Sequence, residues 1–466
     1  MKYKYYILII IIAAIASCKP EIDEFDANKG TADFSVYLAA GNSLTAGFAD
    51  GALYTSGQEN SFPNILAMQF KTVGGGEFNQ PLINTEMGVG IGGTGLTPVL
   101  NTKYVLGYRQ DCLGRTSLGP VLADPNANQQ ELFLALTTSV AAQGPFNNIG
   151  VPGARSVDLL FPGYGQLNNY YGRFAENPLT DAIIGEADKL PFTFFSLWIG
   201  NNDVLGYALA GGEVNPMNPT TAITPEQQFS GAYDAIIASM TAGNQKGAVA
   251  NIPDITSIPF FTTVKYNALQ LDADQAGQLN TAYAPYNAAI DQFQLPVPKI
   301  EFSAGYNAFI IADTNHPFNL LGGFRQIAAG ELILLSCPQD SLYCAGWGSQ
   351  KPIPSRFTLI GQEIDNIENA VNAFNDKIRD VSVLNNLAHV DLNKAMSTLS
   401  SEGLVIDGVE LNATFVQGNI FSLDGIHLTP VGNAMVAHFF IEAINQAYGA
   451  SLPQVNITDY AAIQYP

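Results

Sequence analysis

Apolar and polar positions along the chain switch period several times, and each switch marks a change of element. Short continuous apolar runs at Phe34 to Ala40, Phe146 to Val151, Phe192 to Ile199, Gly247 to Ile252 and Ala388 to Leu392 predict strands covered on both faces. The run at 192–199 is the strongest of these, because large aromatic residues crowd it. Between the runs, apolar residues recur every three or four positions and predict helices. One passes through Ile65, Leu66, Met68 and Gln69 to the break at Gly74-Gly75-Gly76, and a second carries Phe229, Tyr233, Ile236, Ile237 and Met240. A third carries Ile364, Ile367, Val371, Phe374 and Ile378, and the last runs from Thr429-Pro430 through Met435, Val436, Phe439, Phe440 and Ile444. Thr224-Pro225-Glu226-Gln227 offers the second helix an N-cap, a proline at its first position and a capping-box glutamine. Strand and helix alternate, which predicts an α/β fold in three layers, α/β/α, around a mainly parallel sheet.

Two stretches interrupt this alternation. Residues 74–144 are rich in Gly, Thr, Asn and Pro without a sustained helical period and read as a loop-rich or β-rich insertion, and residues 260–355 read as a second insertion. The domain therefore spans 34–450, followed by a tail at 451–466, and no internal repeat is visible. A length of 466 residues allows two or three average domains, but the order of motifs favours one large domain with insertions.

The N-terminus adds a different signal. Lys2 and Lys4 precede an apolar run from Ile7 to Ile15, which is too short for the roughly 20 residues of a membrane span and reads as a signal peptide over residues 1–17. Its end, Ile15-Ala16-Ser17-Cys18, resembles the lipobox of bacterial lipoproteins, which implies acylation of Cys18; the plain alternative is a secretory signal whose cysteine is incidental. Residues 18–33 begin with the acidic Glu21-Ile22-Asp23-Glu24 and read as a flexible tether, similar to the acidic export signal of surface lipoproteins in Bacteroidetes-like bacteria. An outer-membrane, cell-surface or periplasmic location with a lipid anchor is the expectation. The formal net charge of −21 repels polyanions and excludes nucleic acid as a partner.

Cys337 and Cys344 lie close together in a turn-rich stretch and predict a disulfide, which leaves Cys112 free. A zinc site competes for them, but no second cysteine pair or nearby histidine completes a tetrahedron. Asp272 and Asp274 begin a calcium-loop pattern that lacks its third acid and closing glutamate. No metal and no cofactor is expected.

Candidate chemistry sits at the ends of the predicted strands, where catalytic groups of parallel sheets collect. Ser43 lies in Gly41-Asn42-Ser43-Leu44, Asn202 in Gly200-Asn201-Asn202-Asp203, and Asp424 with His427 in Asp424-Gly425-Ile426-His427. A nucleophilic hydroxyl needs a base, a carboxylate to orient that base, and donors for the oxyanion, and these residue types supply all three. Taken alone, Asp424-Gly425 is also a turn and His427 also a helix cap. The chain order Ser, Asp, His is that of α/β-hydrolases, but their elbow needs a glycine where Thr45 stands, and their acid does not lie three residues before the histidine.

These blocks resemble, in order and over about Phe34 to Gly449, those of the SGNH hydrolases, also called GDSL esterases and lipases. The resemblance implies an SGNH/flavodoxin-like sheet, Ser43 as nucleophile, His427 as general base and acid, and Asp424 as its orienting carboxylate. It implies an oxyanion hole from the backbone N–H groups of Ser43 and Gly153 and the Asn202 amide, with Gly153 preferred to Gly150 in Asn148-Ile149-Gly150-Val151-Pro152-Gly153. Asn42 stands where the family carries aspartate. Arg155 is either a contact for an anionic substrate group or a plain ion pair, and His316, His389 and His438 read as structural.

The implied activity is hydrolysis of a lipid or acyl ester by a serine esterase or lipase. Carbohydrate O-acetyl ester hydrolysis is the enzymatic alternative, with only Trp198 and Trp347 available for sugar stacking. A surface lipoprotein that keeps the scaffold for binding without catalysis is the alternative of another class.

Overall fold

Five parallel strands build the central sheet of the computed structural model: β1 (Tyr37–Gly41), β2 (Asn148–Gly150), β3 (Phe194–Trp198), β4 (Lys246–Ala250) and β5 (Ala388–Val390). Their order across the sheet is β5-β4-β3-β1-β2. This is the doubly wound, flavodoxin-like order, in which the chain reverses direction across the sheet at β1 and opens a crevice at the strands' C-terminal ends. The structure describes residues 25–92, 99–313 and 323–465. The signal segment, Cys18 and His316 lie outside the described residues.

Every residue of β1 and β3 is buried, and the two strands pair in register from Tyr37 opposite Phe194 to Gly41 opposite Trp198. Burial on both faces is why their sequences run apolar without alternation. Seven helices are used below: α1 (Ser43–Ala46), α2 (Phe62–Lys71), α3 (Asn202–Leu209), α4 (Glu226–Met240), α5 (Ala273–Phe293), α6 (Gly361–Leu384) and α7 (Pro430–Tyr448). Helices α2 and α7 pack together on one side of the sheet, where Phe62 stacks on Phe440 at 5.0 Å. Helices α4 and α6 pair elsewhere around it, with Phe229 stacked on Phe374 at 4.0 Å.

Three local expectations are corrected. Helix α4 begins at Glu226 with Pro225 in the cap position and no side-chain cap, because Thr224 turns its backbone N–H to the Asp203 carbonyl at 2.8 Å. The 74–144 region holds a helix, Gln129–Thr137, beside its hairpin of Tyr104–Gln110 and Thr116–Leu122. The predicted Cys337–Cys344 bridge does not form: Cys344 is bonded to Cys112, and Cys337 is a free, buried thiol. Residues near in sequence were the wrong guide, because the two insertions fold against each other and bring Cys112 and Cys344 to a Cα separation of 6.5 Å.

The domain also reaches beyond 34–450. Asn28 and Ser451 exchange backbone hydrogen bonds at 3.2 and 2.9 Å, Thr31 N–H donates to the Tyr448 carbonyl, and Leu452, Val455 and Ile457 are buried in the main core. The reading of residues 18–33 as a tether is thus corrected from Asn28 onward. Asp272, briefly a calcium candidate, caps α5 instead, with Gln275 returning the bond in a capping box.

Phe374→Ala removes a fully buried ring stacked between helices and is expected to cost about 3–5 kcal/mol. Urea denaturation checks this; a loss below about 1 kcal/mol would mean that the α4–α6 contact is not close-packed.

Candidate active site

Strand β1 ends at Gly41, and Asn42 turns the chain so that Ser43 opens α1. The Asn42 side chain accepts the Leu44 N–H at 3.0 Å, an N-cap, and donates its amide to Asn201 Oδ1 at 3.4 Å. Aspartate would cap the same turn but would bring a charge into a position that is 1 % exposed. Ser43 Oγ lies 2.9 Å from His427 Nε2, and His427 Nδ1 lies 2.8 Å from Asp424 Oδ2. An ionised carboxylate only accepts, so the ring proton sits on Nδ1 and leaves the Nε2 lone pair facing the Ser43 hydroxyl.

Asp424 is more heavily bound than its motif discloses. Its Oδ1 accepts the N–H groups of Ile426 and His427, both at 2.8 Å, and the Ser422 hydroxyl at 3.1 Å, while Oδ2 also accepts the Gly51 N–H at 2.8 Å. Burial alone would raise this carboxyl, but the attraction to the His427 ring and these hydrogen bonds outweigh it and hold Asp424 well below the usual carboxylate range.

The support from the Asp50–Gly51 turn was not legible in sequence. Asp50 N–H donates to Ser422 Oγ at 2.9 Å, and Asp50 Oδ1 accepts the Leu423 N–H at 2.9 Å. Both turn residues have positive φ, 52° and 73°, so successive N–H groups point to one side, towards Ser422 and Asp424. An Asp-Gly pair announces a turn, but nothing in it announces a partner 373 positions away.

The proposed oxyanion donors stand at the ends of the adjacent strands β1, β2 and β3. Gly150 lies inside β2, gives its N–H to Asn148 Oδ1 at 3.0 Å, and sits where a Cβ would come within 2.5 Å of the Ala46 nitrogen. Gly150 is thus a packing glycine. Gly153 is exposed at φ 82°, and among the described residues neither its N–H nor that of Ser43 meets an acceptor. Asn202 gives one amide hydrogen to the Ala154 carbonyl at 2.9 Å and keeps the other. The loop carrying Gly153 is anchored at both ends: Asn168 donates to the Pro152 carbonyl at 2.8 Å, and buried Asp203 accepts the N–H and hydroxyl of Ser156 at 2.8 and 2.7 Å.

Arg155 is committed to Asp158 through paired bonds at 3.0 and 2.9 Å. His389 lies in β5, and His438 pairs with Glu442 on α7 at 3.4 Å; neither joins the site. Trp198 lines the cavity beside Ser43, whereas Trp347 packs on Phe357 in the second insertion.

A carboxylate whose folded pKa is depressed contributes stability that is present above its unfolded value, about 3.9, and is lost as pH falls through the folded value. Asp424→Asn is therefore expected to lower Tm at pH 7, with a gap to the parent that narrows below about pH 3.9. Thermal melts from pH 7 down to pH 2 check this; a gap constant down to pH 2 would show that Asp424 is not held in its charged form.

No curated protein matches the chain. The family model of GDSL-like lipase/acylhydrolase matches residues 37–440, from the first residue of β1 into α7, and so contains every group of the site just described. The chain belongs to the GDSL-like lipase/acylhydrolase family, whose members are hydrolases.

Proposed function

We propose that the chain hydrolyses a carboxylic ester through the triad Ser43, His427 and Asp424. The observation that carries this reading is the unbroken line of hydrogen bonds from Ser43 Oγ through the imidazole to Asp424, at 2.9 and 2.8 Å. His427 Nε2 takes the hydroxyl proton as Ser43 Oγ attacks the acyl carbon, and Asp424 stabilises the resulting imidazolium. The oxyanion is received by the N–H groups of Ser43 and Gly153 and the Asn202 amide. The imidazolium then protonates the departing alcohol, and the same imidazole activates water against the acyl-enzyme.

A lipid-anchored place outside the cytoplasm is part of the proposal. It is supported by the lipobox-like end of the signal segment at Cys18 and by the Cys112–Cys344 disulfide, a bond that persists in oxidising compartments. The non-catalytic alternative rests on Asn42 alone, and the Asn42 side chain caps α1 and bonds Asn201 rather than a triad side chain.

Ser43→Ala is expected to abolish hydrolysis of p-nitrophenyl esters and labelling by a fluorophosphonate. Asn202→Ala should lower kcat by about 10²–10³-fold with the fold intact. Retained activity in the serine variant would rule out the triad, and an unlabelled, inactive parent protein would favour the binding lipoprotein.

A further inference from the structure

Two cavities of different character meet at His427, and on the esterase reading above each must receive one half of the ester. The first is lined by Ser43 and Asn202 together with Leu205, Ile255, Ile258 and Met396, and holds about 510 Å³ of space, part of it open to solvent. Apart from the site's own groups and their asparagine neighbours, its walls are apolar. The second borders His427 and Asp424 but neither Ser43 nor Asn202, and at about 1640 Å³ is roughly three times larger.

The walls of the large cleft come from the two insertions. The 104–122 hairpin brings Tyr104, Arg109 and Leu118 to one side, and the segment 335–339 forms the other. These walls are fastened to each other by the Cys112–Cys344 disulfide, by Cys112 N–H to Asp340 Oδ1 at 3.1 Å, and by a hydrogen bond from Arg109 to Gln339. Arg115 lies over the Tyr343 ring at 4.5 Å just beyond the bridge. On the floor, the Phe48 ring packs 4.8 Å from the His427 ring.

We propose that this cleft is the leaving-group subsite and that it takes a bulky, ring-bearing, polyhydroxylated alcohol, while the acyl chain enters the narrow apolar cavity. In the acylation step the Ser43 Oγ–acyl carbon bond forms, the bond from the acyl carbon to the alcohol oxygen breaks, and the proton from Ser43 passes through His427 Nε2 to that oxygen. A general acid must lie within hydrogen-bond reach of the atom it protonates, and His427 borders both cavities, so the alcohol has the large cleft to depart into once the acyl chain takes the other. The acyl carbon is bonded to Ser43, so its chain extends into the space that Ser43 lines. The lining mixes amide, hydroxyl and guanidinium groups with aromatic and aliphatic side chains, which suits an alcohol with apolar ring faces and many hydroxyls.

The test varies one half of the ester at a time on the full mature chain. With acetyl held constant, kcat/KM for O-acetylated xylo-oligosaccharides should exceed that for ethyl acetate and triacetin by at least about tenfold, one decade being about 1.4 kcal/mol of transition-state binding. Leu118→Trp and Arg109→Ala should raise KM for the oligosaccharide several-fold more than KM for ethyl acetate, whose alcohol is too small to reach the hairpin, and an unchanged thermal midpoint shows that the variants fold. Reduction of the disulfide should act in the same direction. Preference for triacetin overturns the alcohol class, and equal effects of the variants on both substrates overturn the subsite; in either case Ser43-dependent hydrolysis of p-nitrophenyl acetate leaves the esterase reading standing. Failure to cleave any ester removes that reading, and this inference with it.

Discussion

Asp424 places a negative charge where solvent is scarce, and the cost of doing so decides much of the surrounding architecture. A buried carboxylate is tolerable only when donors surround it, and here they come from three sources. Its own loop supplies the N–H groups of Ile426 and His427, Ser422 supplies a hydroxyl, and the turn after α1 supplies the Gly51 N–H. The last of these ties the segment that carries Ser43 to the segment that carries His427. Ser43 and His427 are 384 positions apart, yet their separation of 2.9 Å is braced on both sides of Asp424.

The sheet performs the same service for the oxyanion side. Adjacent strands β1, β2 and β3 end together, so Ser43, Gly153 and Asn202 need only short loops to reach one edge. Asp203 then locks the β2 loop to the start of α3 through Ser156. Burial pushes the Asp203 carboxyl up, against the pull of the Ser156 hydrogen bonds, and its neighbours Ser156 and Asn202 lie within the same short span of structure. Ser43, Gly153 and Asn202 are thus backed by groups set behind them, and precision at the edge comes from that backing.

How much of this was legible in sequence follows from the range of each interaction. Strands β1 and β3 were readable because burial on both faces leaves unbroken apolar runs, and α4, α6 and α7 because each buries one stripe. Ser43, Asn202, Asp424 and His427 stood out because short motifs carry them. Helix α5 was hidden, since its apolar stripe is Ala276, Leu279, Tyr283, Tyr286 and Ile290, thinned by alanine and glutamine and packed on a small separate core. Its capping residue Asp272 was visible but was weighed as a metal ligand. The Cys112–Cys344 bridge and the Asp50 turn were invisible for a common reason: both partners are locally unremarkable, and only the folding of segments more than 200 positions apart joins them.

The junction of residues 28–31 with residues 448–451 lies apart from the site. Asn28 and Thr31 bond to Ser451 and Tyr448, and Lys246, the first residue of β4, reaches the Thr31 carbonyl at 2.6 Å. This junction therefore lies at the starting edge of the sheet, while Ser43 and His427 lie at its finishing edge. Residues 28–31 therefore pack at the opposite end of the strands from the Ser43–His427 pair, and the mouth of the crevice is left to the loops that follow the strands.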